Sequence, residues 1–482
     1  MPRRRDRDAS RVVYRTARVG LRLSRAQRER CYGLLRSAGD VWACVLEVNA
    51  WRHQRRDAPL VSYQALCREL AASGPGTFGE LDTTGARSVL RRFSDAWFAA
   101  AKRRRAGDVT ARSPRRRRGL VPVRWYHGTF GLSGRRLRMP TAAGCPSLWL
   151  RLDREVPYPD GQIRSVTLLA DAGRLWVEVT AEVAVAAYPP DAAPDPDRVA
   201  GVDLGVIHPY AVAGPGGRGL LVSGRAVRAE HRLHLADTKA RRRAVAARAP
   251  KPGQRGSRRW RQYRRRTRLV EARHRRRVRQ AQHEAAKTVI AWAVQHRVGT
   301  LTVGDPRGVL GLDAGRRHNL RLRQWQVGRA IAVLRDKAEL AGVTVRLVDE
   351  RGTSSTCPAC RHRVRKPAGR TMTCTTCKLS GHRDLFAAAT IATRTPGGGS
   401  TAAAPVVPTV VTHRRAGRHL PGAGPSRRDP RRHPVAAGGS VGRLRPATPP
   451  PETVMAGSRS TAPRGEEPQH EHQTGERKWS QH

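Results

Sequence analysis

The chain has 482 residues, with 93 lysines and arginines against 38 aspartates and glutamates, and its formal net charge is +55. A compact fold with this excess repels itself, and a bound polyanion relieves the repulsion best. The composition therefore predicts a nucleic-acid-binding protein, with a merely basic surface as the alternative. The length allows two or three domains. No apolar run is long enough for a membrane span, and no apolar segment follows the charged N-terminus, so we predict neither a transmembrane helix nor a secretory signal.

The N-terminal half changes from helical to strand periodicity along the chain. Apolar residues recur near every 3.6 positions in three stretches, 24–51, 61–72 and 85–104. Short alternating segments separated by turn residues then occupy about residues 119–185, and an earlier alternating run covers 11–22. We therefore predict a nucleic-acid-binding half over residues 1–190, with a helical part at about 24–118 and a small β-barrel or sandwich from about 11–22 and 119–187.

Two arginine-rich segments are candidates for contacts with nucleic acid. The first is the run Arg115, Arg116, Arg117 and Arg118, which lies among Ser, Pro and Gly residues. The second lies within the basic, helical stretch 225–297 and contains Arg258, Arg259, Trp260 and Tyr263. Guanidinium groups bind phosphates, and aromatic rings stack on unpaired bases. The alternatives are a solvated loop and a basic helix whose aromatic residues belong to the core.

The C-terminal half begins after a linker rich in Pro and Asp, at about residues 188–197. Its patterns predict a strand and hairpin over 198–222, strands at 298–305 and 343–349, and a helix at 321–341. Beyond residue 394 the apolar residues give way to Gly, Pro, Ser, Thr and Arg. We therefore predict that residues 395–482 form a disordered tail.

Two pairs of cysteines late in the chain have the spacing of a zinc site. Cys357 and Cys360 form one CxxC pair, and Cys374 and Cys377 form a second pair after thirteen intervening residues. Four thiolates in two such pairs suit tetrahedral zinc, and they leave no open coordination position for catalysis. We therefore predict a structural zinc ion. A disulfide interpretation is weaker, because nothing marks the chain as secreted.

Three aspartates are candidates for a catalytic metal site. Asp203 lies in an apolar strand, Asp305 ends the segment VGTLTVGD, and Asp384 begins the predicted helix after Gly381. An acid within an apolar strand is costly unless it is paired or binds a metal ion. Carboxylates from two strands and a helix can converge on paired Mg²⁺ ions that hydrolyse a phosphodiester. The alternative is three unrelated acids, two of them at the surface.

The order of these motifs resembles that of the TnpB/OrfB family, which bacterial insertion sequences encode. The resemblance covers about residues 11–394 and rests on RTARVGLRLSRAQRERCYGLL, GVDLGV, GSRRW, His283, TLTVGDPRGV, TSSTCPAC, CTTC and HRDLFAAATI. It implies a mixed α/β fold with an RNase H/RuvC-like nuclease domain over 191–394 and a zinc ribbon inserted at about 353–380. It further implies a cytoplasmic, nucleoid-associated nuclease with a guide RNA from the transposon end and a double-stranded DNA target.

The second catalytic acid departs from the family pattern. By the resemblance, Asp203 and Asp384 match the first and third acids, whereas the family has Glu where this chain has Gly304. Successive side chains of a strand alternate in direction, so Asp305 would face away from the metal ions in a regular strand. Because Gly304 is permissive and Pro306 follows, we predict a local bulge that brings Asp305 into the site.

Three functions remain open from the sequence. The first is an active RNA-guided DNA endonuclease with catalytic Mg²⁺. The second is a nuclease-inactive relative that binds RNA and DNA as a repressor would. The third, a transposase that joins DNA strands, ranks last, because the only His-x-His motif, His470 to His472, has no tyrosine near it and lies in the predicted tail.

Overall fold

The computed structural model describes residues 11–74, 76–115, 119–311, 313, 315–365, 367, 369–395 and 405–420. Within these ranges, every helix is too short or too polar to cross a lipid bilayer. The described strands form a seven-stranded sheet, a six-stranded sheet and a two-stranded hairpin.

The N-terminal half starts with a long strand and three helices, as its periodicity predicted. These are β1 (Val12–Arg22), α1 (Arg25–Gln54), α2 (Tyr63–Ala72) and α3 (Thr83–Arg105). Ser24 begins α1 through a capping box: its hydroxyl accepts from the Gln27 backbone, and the Gln27 side chain accepts from the Ser24 backbone. Four basic residues end α3, where positive charge stabilises the helix dipole.

The remaining strands of this half pair with β1 in one antiparallel sheet. They are β2 (Val123–Tyr126), β3 (Gly131–Ser133), β4 (Arg136–Met139), β5 (Leu148–Leu152), β6 (Ile163–Asp171) and β7 (Arg174–Ala184). The strand order is β2-β6-β7-β1-β5-β4-β3, so β1 joins the two sets of strands. Alternate residues of the sheet pack with α1 and α3 in a core that includes Leu34, Phe93, Trp125 and Leu150.

The C-terminal half contains a mixed sheet and a hairpin. Its strands are β8 (Asp195–Asp203), β9 (Tyr210–Ala213), β10 (Arg218–Ser223), β11 (Val298–Asp305), β12 (Thr344–Asp349), β13 (Thr371–Thr373), β14 (Ser380–His382) and β15 (Val410–Arg415). The sheet order is β12-β11-β8-β9-β10-β15, and β13 pairs with β14 alone. Strands β12, β11 and β8 run parallel, so their carboxyl ends lie at one edge of the sheet.

Helices cover both faces of this mixed sheet. They are α4 (Arg225–Ala246), α5 (Arg258–Gln295), α6 (Arg316–Gln324), α7 (Val327–Leu340) and α8 (Arg383–Ala392). Val202 and Val303 belong to the core shared with α5 and α7, whereas Gly201 contacts α8 on the opposite face. The basic stretch predicted as helical is therefore two helices, and the predicted helix 321–341 is divided between α6 and α7.

The predicted disorder from residue 395 onward does not hold for residues 405–420. Strand β15 pairs in parallel with β10, and Ala416 and Leu420 after it are buried. The backbone of β15 completes the hydrogen bonds of the sheet edge, so a segment of low apolar content is held without a large core of its own. Residues 396–404 and 421–482 lie outside the described residues.

Candidate active site and zinc centre

The four cysteines predicted to bind zinc lie together at the tip of the β13–β14 hairpin. Their sulfur atoms are all within 4.8 Å of one another. The Sγ atoms are 3.6 Å apart for Cys357 and Cys377 and 3.5 Å apart for Cys360 and Cys374. Tetrahedral zinc with Zn–S bonds of about 2.3 Å needs sulfur atoms about 3.8 Å apart. The cluster therefore fits a zinc ribbon.

Each cysteine pair forms a tight turn that prepares its sulfur atoms for a metal ion. Arg361 and Lys378 follow the two pairs with left-handed φ angles of 58° and 60°. In the second turn, backbone N–H groups of Cys377 and Thr376 donate to the sulfur of Cys374 and lower the pKa of that thiol to about 6. In this turn, backbone donors thus favour the thiolate of Cys374, the form that binds zinc, whereas burial raises the pKa of Cys357 to about 12.

Two of the predicted catalytic acids lie together between β8 and α8. Gly201 and Asp203 point from β8 to the same face, where α8 crosses the strand. A Cβ atom at position 201 would overlap the carbonyl oxygen of Ala388 and lie 2.5 Å from the backbone nitrogen of Ala392. Since residues four apart share a helix face, this close approach also turns Asp384 toward Asp203. Asp203 and Asp384 therefore lie close together, and their role as metal ligands stays a prediction.

Asp384 is buried and held by basic side chains on two sides. His208 Nδ1 donates to Oδ2 of Asp384 at 2.9 Å, and one guanidinium nitrogen of Arg370 lies 2.9 Å from each carboxylate oxygen. Burial acts to raise the pKa of Asp384, but the His208 hydrogen bond and the Arg370 charge outweigh it and hold that pKa at about 2. His382 caps α8 by accepting from the Asp384 backbone at 3.3 Å. Asp384 is therefore ionised and fixed in position.

Glu350 is a third acid at this site, and the sequence analysis missed it. It follows β12 directly, and a Cβ atom at Gly304 would lie 2.7 Å from Oε2 of Glu350. Burial raises the pKa of Asp203 well above its ordinary range, and the charges of Asp384 and Glu350 raise it further. Three carboxylates, Asp203, Glu350 and Asp384, are thus close enough to repel one another. The sequence carried one signal for Glu350: this acid directly follows the predicted strand 343–349.

Asp305 lies on the other face of the sheet, contrary to the predicted bulge. Strands β11 and β12 pair in regular register through Gly304 with Val348 and Asp305 with Asp349. Both carboxylate oxygens of Asp305 accept from Arg307, which lowers its pKa, and Arg335 of α7 lowers it further. The strand keeps its alternation because Glu350 already fills the space beside Gly304. The structure therefore does not bring Asp305 to the other acids.

The predicted nucleic-acid contacts lie at the surface of the described chain. Arg115, Arg258 and Arg259 are exposed, whereas Arg116, Arg117 and Arg118 lie outside the described residues. Arg258 begins α5, and the half-buried Trp260 and Tyr263 lie in its first turns. The guanidinium groups of Arg264 and Arg248 lie 4.6 Å and 4.9 Å from the ring centres of Trp260 and Tyr263. Base stacking by these two rings stays a prediction.

Comparisons with known proteins show similarity to two family models and to a solved fold. A family model described as "Probable transposase" (OrfB_IS605) matches residues 177–310, and one described as "Cas12f1-like, TNB domain" matches residues 328–391. The chain matches none of the curated proteins. A solved Cas12f1–sgRNA–target DNA complex shares the fold with a TM-score of 0.56 at 12% identity, covering 77% of this chain and 83% of that one.

A second solved structure, the mini-RNA-guided endonuclease CRISPR-Cas_phi3, covers 79% of this chain and 92% of its own at 11% identity. Its TM-score of 0.40 is too low to add to the fold assignment. The fold is therefore mixed α/β of the kind found in RuvC-containing effectors with a zinc ribbon. In its two family models, its fold and the order of its motifs, the chain resembles the TnpB/OrfB family.

Proposed function

We propose that this protein is an RNA-guided DNA endonuclease that hydrolyses phosphodiester bonds with divalent metal ions. The observation that carries the proposal is the convergence of Asp203, Glu350 and Asp384 at the α8 face of β8, β11 and β12. Acids from strands and a helix, brought to one point on this fold, form a site for phosphodiester chemistry rather than a structural ion pair.

The donor set of this site fits Mg²⁺. Carboxylate oxygens are the ligands that this ion prefers, and three mutually repelling carboxylates are stabilised by added positive charge. Asp203, Glu350 and Asp384 would hold the ions, which supply an activated water and stabilise the leaving oxygen. Arg370 and His208 orient the Asp384 carboxylate.

RNA and DNA are the proposed partners. The net charge of +55 supports binding of a long polyanion, and the relative with the same fold was solved with sgRNA and target DNA. Base pairing with the guide would select the target, so the protein itself needs contacts mainly to phosphates and to a short motif beside the target. The exposed arginines Arg115, Arg258 and Arg259 are candidates for these contacts.

A nuclease-inactive, guided DNA-binding protein is the second candidate, and the glycine at position 304 favours it. That glycine removes the acid that the family has in this strand. Glu350 can replace the missing acid, because its carboxylate occupies the space beside Gly304 and its charge raises the pKa of Asp203. We therefore prefer the active nuclease. The strand-joining transposase gains no support, since the His470–His472 motif lies outside the described residues.

The deciding experiment compares three carboxylate-to-amide variants in one guided cleavage assay. The protein is co-expressed with the RNA from the transposon end and supplied with matching DNA and Mg²⁺. Asp203→Asn and Glu350→Gln should each slow cleavage at least about 1,000-fold, since each removes a metal ligand. Asp305→Asn, the matched control, should cut within about threefold of the wild type.

Each outcome of this assay has a defined meaning. If Asp203→Asn cuts as fast as the wild type, the proposed active site is wrong. If Asp305→Asn is inactive while Glu350→Gln cuts normally, the second ligand is Asp305 and the described arrangement of β11 is not the active one. If the wild-type protein binds target DNA but never cuts it, the guided binding protein is the correct function.

A further inference from the structure

A cavity of about 270 Å³ lies near the carboxyl end of β8, among α4, α5, the α6–α7 segment and the turn after β8. Gly205 and Val206, which line it, follow Asp203 by two and three residues. The cavity is therefore adjacent in the chain to the first catalytic acid. None of the roles proposed above for the acids, the zinc ribbon or the exposed arginines uses this space.

The walls of the cavity combine apolar side chains with the rings of Tyr210, His231 and Trp325 and with three amides. Val227, Leu235 and Ala281 contribute apolar surface, and Trp325 lines the space beside Gln324 and Gln326. Pockets of this make-up bind flat ligands, with the apolar walls against the ring and the amides at its polar edge.

Gln282 leaves an acceptor for such a ligand. Its side-chain nitrogen donates to the Gln326 side-chain oxygen at 3.4 Å. Its own amide oxygen is buried and has no hydrogen-bond partner among the described residues. A buried acceptor without a partner costs about 1–3 kcal/mol, and a rotation of the Gln282 amide toward the N–H group of a bound base would remove that cost.

Arginines line one side of the cavity and continue toward the active site. Arg228, Arg232 and Arg321 line it. Burial lowers the pKa of Arg228, and the neighbouring charges of Arg321, Arg232 and Arg370 lower it further. Arg370 in turn binds Asp384. Phosphate groups would stabilise this cluster of repelling cations, and Arg370 links the cluster to Asp384.

We propose that the cavity binds one unpaired nucleotide of the DNA strand that is cut, with its base between the apolar walls and its phosphates on the arginines. The proposal rests on the proposed nuclease function and names a binding site for its substrate. A nucleotide removed from the stack beside the catalytic acids would fix the position of the neighbouring phosphodiester.

Photocrosslinking tests the site without requiring cleavage. The probe is a single-stranded DNA 12-mer with one central 5-iododeoxyuridine, mixed with the Asp203→Asn protein, which should bind DNA without cutting it. We expect crosslinking at Trp325, located by mass spectrometry of the peptides. Crosslinks at other residues only, or crosslinks at Trp325 with the matching RNA 12-mer but not with DNA, would overturn the proposal.

Cavity variants provide the second arm of the test. Ala281→Leu fills the cavity and Gln282→Met removes the amide at nearly constant volume; each should lower the Trp325 crosslink at least about fivefold. Arg321→Gln should weaken binding about threefold or more, whereas Arg323→Gln on the same helix, outside the cavity, should not. Thermal unfolding and zinc content identify any variant that fails to fold. If Ala281→Leu does not fold, the Trp325 crosslink of Gln282→Met decides whether the cavity binds the base.

The two proposals fail in different ways. If guided cleavage depends on Asp203 but every cavity variant crosslinks like the wild type, the nuclease function stands and the nucleotide site is wrong. If the Trp325 crosslink depends on the cavity residues but no DNA is cut, the cavity binds DNA in a protein that lacks nuclease activity.

Discussion

Among single residues, Gly304 and Glu350 form a pair, because the Glu350 side chain occupies the space that a side chain at position 304 would need. A side chain at position 304 would meet Glu350 Oε2 at 2.7 Å and Ile391 Cδ1 at 2.9 Å from its first carbon atom. The glycine therefore makes room for a carboxylate that comes from the neighbouring strand. One acid is present at this point of the site, although it is attached to a different part of the chain.

Moving the acid back to β11 tests this exchange. Gly304→Glu alone should destabilise the protein by about 1–3 kcal/mol, because the added side chain meets Glu350 and Ile391 in a packed space. The double variant Gly304→Glu/Glu350→Gly should recover stability and regain cleavage lost in Glu350→Gly alone. Urea unfolding and guided cleavage measure the two effects. A single variant that is as stable and active as the wild type would show that Glu350 does not fill this space.

The three carboxylates also predict how stability responds to metal ions. Without divalent cations, Asp203→Asn should stabilise the protein by about 1 kcal/mol, because it replaces a buried acid whose charged form is opposed by burial and by Asp384 and Glu350. Adding Mg²⁺ should raise the Tm of the wild type and leave that of the variant nearly unchanged. Thermal unfolding with EDTA and with Mg²⁺ provides the measurement, and Asp305→Asn is the control. Equal Mg²⁺ stabilisation of Asp203→Asn and the wild type would contradict a metal site at these acids.

At the scale of elements, the position of α8 on β8 determines the active site. Helix α8 crosses the strand at Gly201, where its backbone approaches closely enough to exclude a side chain. Asp384 begins this helix and Asp203 ends this strand, so a small shift between the two elements would separate the two carboxylates. The close packing at Gly201 thus fixes the positions of Asp203 and Asp384, which lie further along the two elements.

Replacing this glycine should separate the acids. Gly201→Ala should destabilise the protein by about 3 kcal/mol or more and slow cleavage, because its Cβ would overlap the Ala388 carbonyl. Gly328→Ala in α7 is the matched control: nothing lies within 4 Å of its Cβ, and alanine favours a helix by about 0.5–1 kcal/mol. Chemical unfolding of both variants should therefore give shifts of opposite sign. A stable, active Gly201→Ala protein would refute this packing.

The zinc ribbon supplies contacts to the same site from its base. Arg370 precedes β13 and His382 ends β14, and the Arg383 backbone donates to the Arg370 carbonyl at 2.7 Å. Phe386 of α8 belongs to the small core that contains Cys357 and Cys374. The ribbon therefore holds both side chains beside Asp384, and its zinc ion would contribute to catalysis without contact to the substrate.

Loss of the zinc ion should consequently reduce cleavage while leaving nucleic-acid binding. Cys374→Ser should lose the zinc ion and slow cleavage at least about tenfold, since Arg370 and His382 are released. Cys44→Ser, an exposed cysteine of α1, is the control and should keep both zinc and activity. Metal analysis, RNA-binding affinity and cleavage rate are measured together. Unchanged zinc content in Cys374→Ser would remove the basis of the zinc assignment.

At the scale of the whole molecule, the net charge of +55 should govern association with nucleic acid. Two helices, α4 and α5, contain many of the arginines of the described chain. Both helices also line the cavity. Most of the affinity should come from phosphates and depend strongly on salt.

The salt dependence of RNA binding measures the contribution of phosphate contacts to the affinity. The protein should co-purify with RNA, and its affinity for a single-stranded RNA should fall steeply with salt concentration. Arg258→Gln/Arg259→Gln should reduce the slope of log K against log salt by about 1, since roughly 0.7 counterions are released per phosphate contact. The exposed pair Arg135 and Arg136 gives the matched double variant. RNA-free protein at low salt, or equal slopes for both variants, would argue against contacts at Arg258 and Arg259.

Much of this molecule follows from local patterns in its sequence. The periodicity predicted α1, α3, β11 and β12 within a few residues, and the paired CxxC spacing predicted the sulfur cluster. Asp203 was recognisable because an acid in an apolar strand is costly without a partner, and Asp384 because the motif around it resembles that of the TnpB/OrfB family. These signals depend on residues close together in the chain, which is why sequence alone carries them.

The tertiary structure alone decided which acid joins Asp203 and Asp384. Asp305 and Glu350 each end a strand, but side-chain alternation and the contact between Gly304 and Glu350 place only Glu350 on the α8 face. It also placed β15 at the sheet edge and formed the cavity beside Trp325, since edge pairing and cavities arise between segments far apart in sequence. Composition and spacing determine which residues are candidates for the chemistry, and the packing of α8 against the sheet decides which of them lie together at the proposed active site.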